Sequence, residues 1–150
     1  MPEVAAFLKR ATISTFRGNP VATAAAKAVI DLIEEENLMS NALETGAYLR
    51  EKLDELREKH ALIGEVRGMG QMQAIELVRD RMTKEPAVEE TAQLMEAARQ
   101  NRLLVGKGGM FGNVIRISPP LNIRKTDVDE FARSLDASLA QCSALHAAAR

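Results

Sequence analysis

Cysteine is almost missing from this 150-residue chain. Cys142 is the only one, which excludes an intrachain disulfide. Histidine is nearly as scarce: with His60 and His146 the only imidazoles, a zinc cluster has too few ligands and no metal site is expected. Excess charge of either sign is lacking too, since 20 Lys and Arg stand against 21 Asp and Glu for a net charge of −1. That balance argues against an electrostatic grip on nucleic acid or anionic lipid, so neither is expected as a partner. No apolar run approaches the roughly 20 residues of a membrane span, and the opening MPEVAAFLKR lacks the apolar core of a secretory signal. The simplest compartment is a reducing cytoplasm. What remains, 46% hydrophobic and 27% charged residues, is the balance of a globular protein of one domain.

The pattern of the chain predicts helices and short strands. Asn19-Pro20 reads as an N-cap with proline at the first helical position, opening a helix with Ala22, Ala26, Val29 and Ile33 on one stripe and an end at Asn37. Ala42, Gly46, Leu49, Leu53 and Leu56 define a second helix, with Glu55 and Lys59 as an outer i,i+4 pair. Gly46 costs about 1 kcal/mol of helix propensity against alanine, so close packing of a neighbouring helix is expected there. Leu62–Val66 and Met72–Val78, joined by Arg67-Gly68-Met69-Gly70, read as an antiparallel strand pair. Thr83–Pro86 reads as a turn into a third helix carrying Val88, Thr91, Leu94, Met95 and Ala98. Strands are expected at Leu103–Gly106 and Val114–Ser118, ended by Pro119-Pro120. A final helix starts at a capping box of Thr126 and Asp129 and buries Val128, Phe131, Leu135, Leu139 and Cys142. The order implies an α+β fold: a small, mostly antiparallel sheet with helices packed on one face.

Three segments invite chemistry. The glycine-rich stretch Gly106–Gly112 approaches a dinucleotide fingerprint but has Phe111 at its last position and leads into a strand, so it reads as a hairpin or a flap. Arg116 lies in Val114-Ile115-Arg116-Ile117, where alternation sets it on the face opposite Ile115 and Ile117. A guanidinium in so apolar a strand calls for a partner. That partner is either a structural carboxylate such as Glu76 or a substrate carboxylate held by the planar fork; spacing does not choose between them. Ser14-Thr15-Phe16-Arg17-Gly18-Asn19-Pro20 places hydroxyls beside a helix start, which is either an ordinary cap or a phosphate site. His60 and His146, both at helix ends, read as solvated.

Taken together, STFRGNPVATAAAKAVIDLIEEENL, VRGMGQMQAIELV and VGKGGMFGNVIRISPPLNI followed by KTDVDEF resemble, in order and spacing, the class III pyridoxal-phosphate aminotransferases, with the alanine–glyoxylate branch nearest. The resemblance covers about Met1 to Gln141. It implies the small C-terminal domain of a fold-type-I enzyme at 19–150, with 1–18 left from the large domain or its linker. It further implies that Thr15 contacts the cofactor phosphate from the neighbouring subunit of a homodimer, and that Arg116 binds the substrate α-carboxylate. Gly18, Asn19 and Pro20 match supporting positions, while Arg17 stands where the family has glycine.

The family's cofactor-binding lysine, its aspartate on the pyridine nitrogen and its stacking aromatic fall upstream of the matching region, so no catalytic residue is assigned. The expected function is the C-terminal part of an enzyme that moves an amino group from an amino acid to a 2-oxo acid, alanine and glyoxylate among the candidates, using pyridoxal 5'-phosphate. The isolated chain is expected to be inactive. Alternatives are a stand-alone interaction or dimerisation module, and a fragment of a related aminomutase or decarboxylase.

Overall fold

Asn19 starts the first helix as its side chain dictates. In a computed structural model that describes Thr15 and residues 18–148, with side chains as far as Cys142, the Asn19 amide oxygen accepts from the N–H groups of Val21 and Ala22. Pro20 takes the first helical position of α1 (Pro20–Glu35). The chain divides into two compact units, Met1–Glu36 and Asn37–Arg150, each described by itself. No residue of α1 is buried, and Val21, Val29 and Ile30 are well exposed. Asn37 is left-handed, with φ of 51°, a conformation asparagine tolerates better than most residues.

The second unit begins with α2 (Leu38–Lys59) and the antiparallel pair β1 (Ile63–Met69) and β2 (Met72–Asp80). A two-residue β3 (Glu85–Pro86) pairs with the far end of β2, where a plain turn was expected. Then come α3 (Val88–Gln100), β4 (Gly106–Gly108), β5 (Val114–Ile117) and α4 (Lys125–Ala148). The sheet runs β1-β2-β5-β4, antiparallel throughout. Leu49, Leu53 and Leu56 of α2, Leu94 of α3 and Val128, Leu135 and Leu139 of α4 cover one face of it, packing on Ile63, Val66, Ile75, Leu77, Ile115 and Ile117. This is the expected α+β layer, and the period-2 alternation of each strand decides which residues turn inward.

Several local expectations shift. The strand foreseen at Leu103–Gly106 lies instead at Gly106–Gly108, because the end of α3 claims the earlier residues. Arg102 is left-handed with φ of 60°, its N–H donates to Arg99 O, and that of Leu103 donates to Ala98 O. This is a Schellman closure, which draws the chain out of strand geometry. The cap of α4 sits earlier than expected: the Arg124 N–H donates to the Asp127 carboxylate at 2.8 Å, while Asp129 accepts from the Tyr48 hydroxyl. Lys59 pairs with Asp136 of α4 rather than with Glu55, which takes Lys52. His60, expected to be solvated, is buried at the end of α2 with its ring nitrogen 2.6 Å from Asp136. His146 lies outside the described side chains.

Gly46 packs closely, but on a turn rather than a helix. A Cβ there would stand 2.2 Å from the Gly70 carbonyl carbon. The helix therefore rests directly on the backbone of the β1–β2 hairpin and fixes where that hairpin lies.

Candidate functional site

The face of the sheet away from the helices carries the candidate site. Strand register builds it in rows: Arg67, Ala74, Arg116 and Gly106 are successive cross-strand partners over β1, β2, β5 and β4. Arg116 points to this face as its alternation requires, and it is exposed, with Ile115 and Ile117 buried on either side. Both of its cross-strand neighbours are small. The guanidinium leans toward β4, with Nε and Nη2 each 3.7 Å from where a Cβ on Gly106 would stand.

The ion pair with Glu76, one of the two partners open at the sequence level, does not form. Glu76 accepts from Arg67 Nη1 and, at 3.3 Å, from Asn113 Nδ2. The Arg67 hydrogen bond above all, with help from Asn113, holds the Glu76 carboxyl below the usual carboxylate range despite partial burial. Arg67 also reaches Glu65 at 3.0 Å. Among the described residues Arg116 has neither an ion pair nor a side-chain hydrogen bond. It is a planar, permanently charged donor set facing outward, the group best shaped to take a carboxylate bidentately.

Asn113 escaped the sequence reading. It lies between the glycine-rich stretch and the strand expected from Val114, yet it is almost wholly buried, and its Nδ2 donates to Leu77 O at 2.8 Å while Leu77 N–H donates back to Asn113 O. That exchange extends the β2–β5 ladder by one residue and fixes the register that turns Arg116 outward. The loop itself is the foreseen hairpin, with Gly109 and Gly112 at positive φ. Arg67 was read only as part of a connection; its alternation with Glu65 on β1 was the available signal.

Thr15 belongs to the first unit and sits on an exposed turn, without a hydrogen bond among the described residues. The helix start beside it is capped: Asn19 occupies the N–H groups of Val21 and Ala22, and Pro20 has none to offer. A phosphate here would rely on the Thr15 hydroxyl rather than on the helix end. Ser14 and Arg17 lie outside the described residues.

Lys27, Lys52 and Lys59 are ion-paired with Asp31, Glu55 and Asp136, and Lys84, Lys107 and Lys125 are exposed. Among the described residues no cluster of His, Cys, Asp or Glu is arranged for a metal ion, and no helix is long and apolar enough to cross a membrane.

A small α+β layer carries Arg116 on its open face, without an ion pair among the described residues. The family model for class-III aminotransferases matches residues 3–139. The chain belongs to the class-III aminotransferases, a family whose cofactor is pyridoxal phosphate.

Among curated relatives, it is 48% identical over 141 residues to an alanine–glyoxylate aminotransferase 2 homolog, mitochondrial, of Arabidopsis thaliana, covering 93% of this chain and 30% of that protein. The human mitochondrial alanine–glyoxylate aminotransferase 2 is 40% identical, with 85% of this chain and 26% of that protein covered. A leucine/methionine racemase of Thermococcus litoralis is 43% identical, covering 84% and 28%. Among solved structures, a Bacillus anthracis aminotransferase superposes with a TM-score of 0.82 at 34% identity, over 88% of this chain and 30% of that one. A PLP-bound amine transaminase from an uncultivated Pseudomonas species gives 0.79 at 39%, over 87% and 30%. The chain thus spans under a third of the length of these relatives.

Proposed function

We propose that this chain is the substrate-carboxylate lobe of a pyridoxal-phosphate-dependent aminotransferase that passes an amino group from an amino acid to a 2-oxo acid. Residues 19–150 form its small domain, and 1–18 belong to the large domain or its linker. The observation that carries the reading is Arg116. It stands exposed between Ala74 and Gly106, and the carboxylate diagonal to it is engaged by Arg67.

In this role the Arg116 fork binds the α-carboxylate of the amino acid and then that of the 2-oxo acid, fixing the α-carbon against the reactive centre. Thr15 donates its hydroxyl to the cofactor phosphate of the neighbouring subunit in a homodimer. When bound, the cofactor supplies the electron sink for the α-carbon. Moving the proton needs the cofactor-binding lysine of the family, and no lysine of this chain stands in that lysine's motif; on this reading the isolated chain is inactive. The named relatives support alanine and glyoxylate as substrates. The buried free thiol of Cys142 suits a reducing compartment, in the simplest case the cytoplasm.

The test is Arg116→Ala in a full-length relative whose matching segment is replaced by this chain. Loss of a charge-assisted contact worth about 1.5–3 kcal/mol raises KM for the amino acid about 10- to 100-fold, with kcat much less affected. Unchanged kinetics would remove Arg116 from the site. The racemase at 43% identity favours a second reading, in which the same grip serves a reaction that inverts the α-carbon. Racemisation of the donor without release of a 2-oxo acid by that chimera would select it.

A further inference from the structure

Glu76 and Arg116 are the natural ion pair of the open sheet face, and they are kept apart. Glu76 pairs in register with Val114 and Arg116 with Ala74, so the two charged residues are diagonal neighbours on adjacent strands. Diagonal positions of an antiparallel pair lie about 7–8 Å apart, within reach of long side chains. Two features prevent the contact. Arg116 leans away over Gly106. Glu76 is held from the far side by Arg67 and from its strand end by the buried Asn113.

Glu65 adds a third element. It is the register partner of Glu76 across β1 and β2, and like charges directly opposite repel. Arg67 bridges both carboxylates. Without it, Glu76 would stand beside a second anion, with Lys84 as the cation that already acts on it and the Arg116 guanidinium as its diagonal neighbour on the next strand.

We propose that Arg67 is a positioning residue for carboxylate binding: by engaging Glu76 it keeps Arg116 free for an external carboxylate. The inference rests on the reading of Arg116 given above. It makes Arg67 a determinant of affinity through its hold on Glu76.

Acetate, the simplest carboxylate, tests both statements on the whole chain. The 15Nε–H resonance of Arg116 is followed as acetate is added, and the amide spectrum reports the fold. In the wild type the resonance shifts with acetate. Arg67→Met weakens the apparent affinity about 2- to 5-fold, the range of an exposed ion pair that now competes. Arg67→Met with Glu76→Gln restores it, whereas Arg67→Met with Glu65→Gln, which carries the same net charge, does not.

No response of Arg116 to acetate in the wild type overturns the reading of Arg116 and this inference with it. A normal wild-type response with an unchanged Arg67→Met overturns this inference alone, as does equal rescue by the two double variants. Should Arg67→Met fail to fold, Glu76→Gln alone decides. It leaves affinity unchanged if Arg67 already diverts Glu76, and a 5-fold or greater tightening refutes the diversion.

Discussion

Alanine at position 46 sets two forces of known sign against each other. In the middle of α2, Gly46→Ala gains about 1 kcal/mol of helix propensity. Against this, the new methyl would lie 2.2, 2.5 and 2.6 Å from the carbonyl carbon, oxygen and Cα of Gly70. All three are backbone atoms of the β1–β2 turn, so no side chain can swing aside and helix and hairpin must separate by about 1 Å to reach ordinary contact. Overpacking of this kind costs about 1–3 kcal/mol, and a rigid backbone neighbour places it at the upper end, for a net loss of about 2 kcal/mol. With a urea m-value of about 2 kcal/mol/M, the unfolding midpoint drops by about 1 M. Ala47→Gly, one residue along on the exposed side, serves as control and loses only the propensity term of about 1 kcal/mol. A Gly46→Ala chain as stable as the wild type, or more so, refutes the claim that the helix is seated on the hairpin backbone.

Two further outcomes follow from buried or paired groups. Burial above all pushes the Cys142 thiol up, and its sulfur lies 3.4 Å from Glu90 O; iodoacetamide at pH 8 should alkylate the native chain about tenfold or more slower than the urea-unfolded chain, and equal rates would contradict the burial. The Lys59 ammonium first, then the His60 ring, holds the Asp136 carboxyl below the usual carboxylate range. A carboxylate depressed in the folded state stabilises above its unfolded value of about 4 and loses that contribution as pH falls through the folded value. Urea midpoints should therefore drop below about pH 4, and Asp136→Asn should flatten that limb; an acid limb unchanged in the variant would exclude Asp136 as a cause.

The layer order was legible because apolar spacing records which face of each element is buried. Leu49, Leu53 and Leu56 at helical spacing, and Ile115 and Ile117 on alternate positions, all lie in one core. Misplacements came where the backbone of one element is completed by another. Leu103 looks like a strand residue, yet its N–H closes α3. Gly46 announced a close approach without naming the approaching element. Charge pairing was the least legible: Lys59 has Glu55 at a favourable spacing, but Asp136, 77 residues away, is the group that the packing of α4 on α2 brings beside it. Likewise the candidate site was half visible. Alternation put Arg116 on the right face, and only the strand order β1-β2-β5-β4 could set Arg67 on the far side of Glu76.

An arginine can stay unpaired on a sheet only if several residues that never meet a ligand make it so. Side-chain period in a strand is two, so a one-residue slip of β5 would carry Arg116 into the core and an isoleucine out to solvent. The buried Asn113, exchanging hydrogen bonds with Leu77 at the start of β5, resists that slip. Ala74 and Gly106 leave the guanidinium room on both flanks, and Arg67 keeps the diagonal carboxylate occupied. Each device belongs to a different strand or strand end, so the open side of Arg116 depends on the register of the whole sheet and not on β5 alone.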